Sequence, residues 1–318
     1  MRYLVTGGAG FIGSNFVKEL LRRGHDVRVL DNFSTGRREN LQEFGTDIEV
    51  VEGDIRDFWT TLDACKDVDF VLHQAALPSV FRSVENPATT TDINIMGTLN
   101  VLECSRRQGV KKLMFASSSS VYGDTPTLPK SEDMHPLPLS PYAASKLTGE
   151  HYCRIYSKLY KMPSIAFRYF NVFGPKQNPD SEYAAVIPKF ITLLMSDRQP
   201  TVFGDGKQSR DFTYVDNVVQ TVLLACEQDK ITSGEYNLAC GGQYTLNTLL
   251  DRLRELLGKD IKARYTDFRP GDIKHSFAAI TKLQKDFGTT PAIDFEDGLE
   301  RTIAFFKQES LVASRVTK

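Results

Sequence analysis

One stretch constrains this chain more than any other: Thr6-Gly7-Gly8-Ala9-Gly10-Phe11-Ile12-Gly13. It follows a short apolar run, Arg2–Thr6, and leads into Phe16, Val17, Leu20 and Leu21, which fall at helical spacing. Gly7, Gly10 and Gly13 are three apart, the pattern of a tight strand-to-helix turn in which a Cβ would keep a pyrophosphate away. The free N–H groups at the helix start then face the phosphate charge. Glycine-rich turns are common, so the context matters. Here the turn has a strand before it, a helix after it, and an acid, Asp31, 18 residues past Gly13 at the tip of a second apolar run. A carboxylate there accepts the ribose hydroxyls of NAD and repels a 2′-phosphate. Arg37 and Arg38 pull the other way, toward NADP, but Asp31 is nearer the ribose position, and NAD is the expected cofactor. Asp54 and Ile55, after the third run, flank an adenine or simply end a strand.

The runs Val27–Leu30, Ile48–Glu52, Phe70–His73, Lys112–Ser117 and Ser164–Tyr169 are rich in β-branched and aromatic residues and read as buried parallel strands. Helical patterns such as Ile95, Leu99 and Leu102 separate them. Repeated strand–helix–strand order predicts an α/β fold, a Rossmann-type doubly wound parallel sheet with helices on both faces. After about Asn171, prolines 175, 179 and 188 and the Gly204-Asp205-Gly206 turn break the pattern into shorter pieces. The expected organisation is a nucleotide-binding domain over 1–171, rejoined by a segment near 213–235, and a smaller α/β substrate domain over 172–318. Late helices are expected over Asp216–Glu227, Leu246–Leu257 and Phe295–Phe306.

Composition narrows the function classes. With 39 basic and 40 acidic residues the formal charge is −1, which argues against an electrostatic grip on nucleic acid or an anionic membrane. Five cysteines without a CxxC pair and five scattered histidines give neither a disulfide framework nor metal-ligand spacing. No metal is expected. No apolar stretch reaches the roughly 18 residues that span a bilayer, and the N-terminus shows no signal-peptide core. A cytoplasmic protein is expected.

Ser140-Pro141-Tyr142-Ala143-Ala144-Ser145-Lys146 opens a helix, with Ser140 as cap and Pro141 in the first position. Tyr142 and Lys146 are four apart and share a helix face. A phenol titrates near ~10 in water; a neighbouring ammonium and a positive nicotinamide ring bring it into range as a base. Alone, YxxxK also describes an ordinary solvated helix face. Together with Ser117-Ser118-Ser119-Ser120 at the carboxyl end of the fifth strand, where a doubly wound sheet meets its cofactor, it becomes specific.

These elements, with Asp31-Asn32, Gly53-Asp54-Ile55, His73-Gln74-Ala75-Ala76 and Arg168-Tyr169-Phe170-Asn171-Val172-Phe173-Gly174-Pro175, resemble the extended short-chain dehydrogenase/reductase family over nearly the whole chain. Within it, the sequence is most similar to NAD-dependent nucleotide-sugar 4-epimerases, the UDP-N-acetylglucosamine 4-epimerase group with its uronic-acid relatives. The resemblance implies Tyr142 as base and acid at the sugar 4-hydroxyl, Lys146 on the nicotinamide ribose and Ser118 at the 4-oxygen, with Ser119 and Ser120 adjacent alternatives. It implies that Gly7, Gly10, Phe11, Ile12, Asp31, Asn32, Asp54, Ile55, Gln74, Ala75, Asn94, Tyr142, Lys146 and Tyr169 line NAD. It further implies that Ser79, Ser118, Ser119, Asn171, Val186, Lys189, Phe203, Arg210, Arg269, Asp272 and Ser276 meet the UDP-sugar, and that the protein forms a homodimer. Arg210 and Arg269 supply forked donors for a diphosphate and Asp272 accepts ribose hydroxyls; without the resemblance each is an ordinary surface charge.

Related dehydratases and decarboxylases carry acids after the catalytic Ser or Thr, where this chain has Ser119-Ser120. A hydroxyl is a poor base for a carbon acid, so chemistry is expected to stop at C4. A small Ser276 leaves room for an N-acetyl group, which favours interconversion of UDP-GlcNAc and UDP-GalNAc, with UDP-Glc and UDP-Gal also open. Arg82 offers a partner for a C6 carboxylate and keeps UDP-hexuronates as the alternative. Pro78 stands where a glycine is expected beside Ser79.

Overall fold

The computed structural model describes residues 1–179, 185–268 and 274–316. Seven parallel strands form one sheet: β1 (Arg2–Thr6), β2 (Asp26–Asp31), β3 (Ile48–Glu52), β4 (Phe70–His73), β5 (Lys112–Ser118), β6 (Ser164–Tyr169) and, after four short strands, β11 (Ser233–Leu238). Their order is β11-β6-β5-β4-β1-β2-β3, so the chain winds outward from β1 in both directions. The longer helices are α1 (Phe11–Arg22), α2 (Gly97–Arg107), α3 (Pro141–Tyr160), α4 (Val186–Met195), α5 (Val215–Glu227), α6 (Leu246–Leu257) and α7 (Phe295–Val316).

Alternation along each strand builds two cores. Tyr3 and Val5 of β1, Val27 and Val29 of β2 and Met114 of β5 face Phe16, Val17 and Leu20 of α1 and Val218 and Val222 of α5. Leu4, Leu30, Leu113 and Phe115 face the other way, onto Val101 and Leu102 of α2 and Cys153 and Tyr156 of α3. A strand with an apolar layer on both sides has no polar face, which is why these runs read as continuous rather than alternating. β3 departs from that expectation. It is the sheet edge, with Glu49, Val50 and Glu52 exposed, and Arg28 of β2 reaches Glu49 at 2.8 Å.

The return to the sheet lies over 215–238: α5 packs beside α1, and β11 pairs with β6 from Ser233↔Ser164 to Leu238↔Tyr169. Beyond the sheet, β7 (Val172–Phe173) pairs with β10 (Thr213–Tyr214), and β8 (Thr201–Phe203) with β13 (Arg264–Thr266). β9 (Ser209–Arg210) lies between β12 (Tyr244–Thr245) and β14 (His275–Ser276). Of these short strands, β7, β8 and β9 line a second cavity.

Candidate active site

The glycine turn is a cradle with no spare volume. Gly7 has φ +70°, and a Cβ on it would stand 2.7 Å from the Ala75 nitrogen; on Gly13 it would stand 2.2 Å from the Gly7 carbonyl. Gly10 caps α1 without any side-chain hydrogen bond, which leaves the helix start to a ligand. Around it runs a cleft of ≈ 770 Å³ lined by Gly7, Gly10, Phe11, Ile12, Asp31, Asn32, Asp54, Ile55, Gln74 and Ala75 on one side and Ser118, Ser119, Tyr142, Lys146 and Tyr169 on the other. Asp31 is buried and accepts from the backbone N–H of Ala9 (2.9 Å) and of Phe33 (2.8 Å). Burial raises its pKa and these two bonds oppose the rise. The Gln74 side chain donates to nothing: its Oε1 accepts from Tyr169 at 3.3 Å, while its buried Nε2 has no partner. A glycine cradle too tight for side chains, an uncapped helix start and an orphaned amide donor together fit a dinucleotide.

Arg38 is occupied elsewhere, 2.6 Å from Glu52 and over the Phe33 ring at 3.9 Å, and Arg37 leans toward Glu39 at 3.7 Å. This removes much of their pull toward a 2′-phosphate. Asp54 is clamped by Arg56 at 2.8 Å and Asn32 at 2.8 Å, and its pKa falls to about 2, chiefly through Arg56. Asn94 is placed differently from the expectation. It is buried behind the wall, where its side chain binds both the N–H and the carbonyl of Leu77 (2.8 and 3.3 Å) and the Ser145 hydroxyl (3.1 Å).

Tyr142 and Lys146 sit in the first turns of α3. Ser140 caps the helix through the Ala143 N–H at 3.1 Å. Gly149 lets the helix lie against Phe115, where a Cβ would come within 2.3 Å of the ring. That close approach puts the Tyr–Lys face over the carboxyl end of β5. Lys146 Nζ donates to the Ala116 carbonyl at 2.8 Å and lies 5.9 Å from the Tyr142 ring centre. Burial lowers its pKa to about 8. Burial raises that of Tyr142, and a hydrogen bond with the Ser118 hydroxyl lowers it. The four serines therefore divide. Ser118 meets Tyr142, Ser120 donates to Ser118 at 2.9 Å, and Ser117 donates to Glu150 at 2.5 Å beneath the site.

Glu150 is the centre of a buried network that the sequence did not announce. Arg168 of β6 binds it through Nε (2.9 Å) and Nη2 (2.7 Å) and reaches the Tyr122 hydroxyl at 2.9 Å; Tyr122 donates to Asn237 of β11 at 2.6 Å. One cluster thus ties α3 to β5, β6 and β11.

The second cavity, ≈ 390 Å³, is lined by Asn171, Val186, Lys189, Phe203 and Arg210, with Gln208, Phe190 and Phe212. It shares Asn171, Val172 and Ala185 with the first cleft. Asn171 holds φ +34°, the turn that carries the chain from β6 between the two hollows. Ser79 caps a short helix at the cleft edge and Arg82 lines the same wall. Ser276 is buried in register with Arg210, just behind the second cavity's lining. Arg269 and Asp272 lie outside the described residues. Sequence reasoning missed Lys176 and Gln177 in the first cleft and Gln208 in the second. It also missed Asp211, which accepts the backbone N–H of Cys240, Gly241 and Ala278 at 3.1, 3.0 and 3.2 Å and has its pKa pushed up to about 6 by burial. Asp211 directly follows Arg210 in the sequence, but only the fold shows what it joins.

Residues 3–239 match the model of the NAD dependent epimerase/dehydratase family. A UDP-glucose 4-epimerase of Mycolicibacterium smegmatis is 37% identical over 98% of this chain and 100% of its own. The solved UDP-N-acetylglucosamine 4-epimerase of Methanobrevibacter ruminantium, in complex with UDP-N-acetylmuramic acid, superposes with TM-score 0.93 at 40% identity, covering 97% of this chain and 98% of that one. The UDP-glucuronic acid 4-epimerase of Bacillus cereus, solved with UDP-glucuronic acid and NAD, gives TM-score 0.88 at 34% identity over 97% and 100%. The chain belongs to the NAD-dependent epimerase/dehydratase family. NAD is its cofactor, and its class is that of the UDP-sugar 4-epimerases, which are isomerases. These three relatives are named for three different sugars. Among the described residues no cluster of His, Cys, Asp or Glu is arranged to hold a metal ion, and no helix is long and apolar enough to cross a membrane.

Proposed function

We propose that this protein interconverts UDP-GlcNAc and UDP-GalNAc through a 4-keto sugar, with Tyr142, Lys146 and Ser118 at the reacting carbon. The observation that carries the reading is that Ser118, Tyr142 and the buried Lys146 ammonium line one wall of a dinucleotide cleft where it meets a second cavity. NAD supplies a hydride acceptor and donor at C4 and a positive ring that favours the phenolate. Tyr142 takes the proton of the 4-hydroxyl and returns it after the sugar has turned over. Ser118 gives its single proton to the 4-oxygen from beside Tyr142, and so keeps base and oxygen in line. Lys146, with a pKa of about 8, is mostly cationic at neutral pH and stabilises negative charge on the ring 5.9 Å away.

The second cavity is suited to the nucleotide. Phe203 offers an apolar wall and Arg210 and Lys189 positive charge, while Arg269 and Asp272 are proposed partners on the resemblance alone. Strong contacts on the nucleotide and few on the sugar tether the keto intermediate yet leave it free to rotate. Ser119 and Ser120 place no carboxylate beside the sugar, which supports chemistry confined to C4. Ser276 as a gate for an N-acetyl group is proposed on the resemblance alone, since it pairs with Arg210 and lines neither cavity. Arg82 on the cleft wall favours a second reading, a UDP-hexuronate with its C6 carboxylate on that side.

Purified protein given UDP-GlcNAc without added cofactor is expected to form UDP-GalNAc, read by anomeric NMR. Turnover of UDP-glucuronate alone would transfer the assignment to the second reading. Ser276→Tyr is expected to depress N-acetylated substrates more than plain hexoses, and equal losses would remove Ser276 as the gate.

A further inference from the structure

His73 takes no part in the chemistry above, yet it stands between the cofactor cradle and the catalytic helix. It ends β4 beside Thr6 of β1, fully enclosed. Its Nδ1 lies 2.7 Å from the Thr6 hydroxyl and its Nε2 2.9 Å from the Thr98 hydroxyl of α2. The direction of each bond follows from counting protons. The Thr98 hydroxyl gives its one proton to the Asn94 carbonyl at 2.6 Å, because a carbonyl can only accept. It must therefore accept from His73, which puts the ring proton on Nε2. Nδ1 then accepts from Thr6, and the Thr6 oxygen in turn accepts the backbone N–H of Ala75 at 3.3 Å.

The chain of bonds continues at both ends. Ala75 is the residue against which Gly7 packs with no room for a Cβ, so Thr6 and Ala75 belong to the cradle itself. At the other end Asn94 sits in a π-helical turn, Asp92–Met96, that feeds α2, and π turns of this kind recur at functional sites. The Asn94 amide donates to the Ser145 hydroxyl at 3.1 Å, and Ser145 donates to the Tyr142 carbonyl at 2.7 Å. A single-direction series thus runs from Ala75 through Thr6, His73 and Thr98 to the Asn94 backbone carbonyl, and the Asn94 side chain carries the connection on through Ser145 to the backbone of Tyr142.

We infer that neutral His73, as its Nε2–H tautomer, is a positioning residue that fixes the catalytic helix relative to the cofactor cradle. A charged ring would turn Nδ1 into a donor facing Thr6 and leave the Thr6 proton without the acceptor it now has, and the series would break. Burial disfavours that charge, and the nearby Lys146 ammonium disfavours it further. The arrangement suits a reaction that needs the C4–H aimed at one point from two opposite faces of the sugar. A shift of about 1 Å in such a site costs on the order of a hundredfold in rate. The inference rests on Tyr142 being the base, as proposed above.

Thr98→Val removes the hydroxyl at constant volume, and Thr98→Ser restores it. The valine variant is expected to keep its bound NAD and its KM for the UDP-sugar within about twofold, while kcat falls by about 10–100-fold; the serine variant should recover most of that loss. Wild-type kcat in the valine variant, whatever its melting temperature, or a serine variant as slow as valine, would overturn the inference. Should Thr98→Val fail to fold, Ser145→Ala cuts the same series at its far end and carries the same two outcomes. Nitrogen NMR of imidazole-labelled wild-type protein tests the tautomer without any turnover. A neutral Nε2–H ring is expected, and an Nδ1–H or charged ring at neutral pH would sink the relay. Absence of epimerase activity in wild-type protein would instead overturn the functional assignment, and this spectrum would still decide the relay.

Discussion

Removing Arg168 tests how α3, the helix that carries Tyr142 and Lys146, is held. Arg168→Met leaves the Glu150 carboxylate, 1% exposed at its side chain, without the two guanidinium bonds at 2.9 and 2.7 Å. Only the Ser117 hydroxyl, at 2.5 Å, still donates to it, and Tyr122 loses a bond at 2.9 Å. An uncompensated buried charge of this kind costs about 3–5 kcal/mol. Glu150→Met strands the guanidinium in the same way and should cost a similar amount. The double variant buries no charge. Its remaining penalty comes mainly from Ser117 and Tyr122, about 1–3 kcal/mol for a polar group left unsatisfied. The double variant is therefore expected to be more stable than the sum of the single losses by at least about 2 kcal/mol. Urea unfolding followed by circular dichroism measures all four proteins. Single losses below about 1 kcal/mol, or simple additivity, would refute the idea that this pair anchors α3.

Other outcomes follow from the same geometry. Gly13→Ala forces a Cβ within 2.2 Å of the Gly7 carbonyl, so the purified variant should carry little NAD when the dinucleotide is released and quantified; full occupancy would contradict the cradle. Ser118→Ala should lower kcat about 10–100-fold, the value of a hydrogen bond to a charged group, whereas Ser119→Ala should change it far less; the reverse ranking would reassign the serine. His73, with its pKa lowered to about 3 by burial and then by Lys146, binds a proton more readily unfolded than folded between about pH 3 and 6.5. Its contribution to stability is complete above that window and is lost as pH falls through it. At about 1.4 kcal/mol for each pH unit, the loss reaches about 5 kcal/mol. Unfolding free energies measured across that range should show the slope, and a flat profile would contradict a buried neutral ring.

The sequence by itself determined the features whose physics is local. A glycine turn between a strand and a helix, an acid at the next strand tip and a Tyr–Lys pair one helical turn apart are all short-range patterns, and the fold honours each. β1, β4 and β6 begin and end where the apolar runs do, because a strand enclosed on both faces must be apolar throughout. The tertiary structure decided whatever depends on residues far apart in the chain. Spacing alone does not separate four adjacent serines, and only the resemblance singled out Ser118; that Ser118 faces the cleft with Tyr142 while Ser117 meets Glu150 follows from α3 lying across the end of β5. Asn94 matched a cofactor contact by position, yet its amide braces Leu77 and Ser145 from behind the wall. Ser233–Leu238 carries Gly, Glu and Asn and does not look like an inner strand, but β6 offers it an unpaired edge. Glu150 and Arg168 look like surface charges in the sequence and become a buried pair, since two elements 18 positions apart meet where neither has water. Periodicity reports which way a side chain faces; what it faces is decided by the packing of the whole chain.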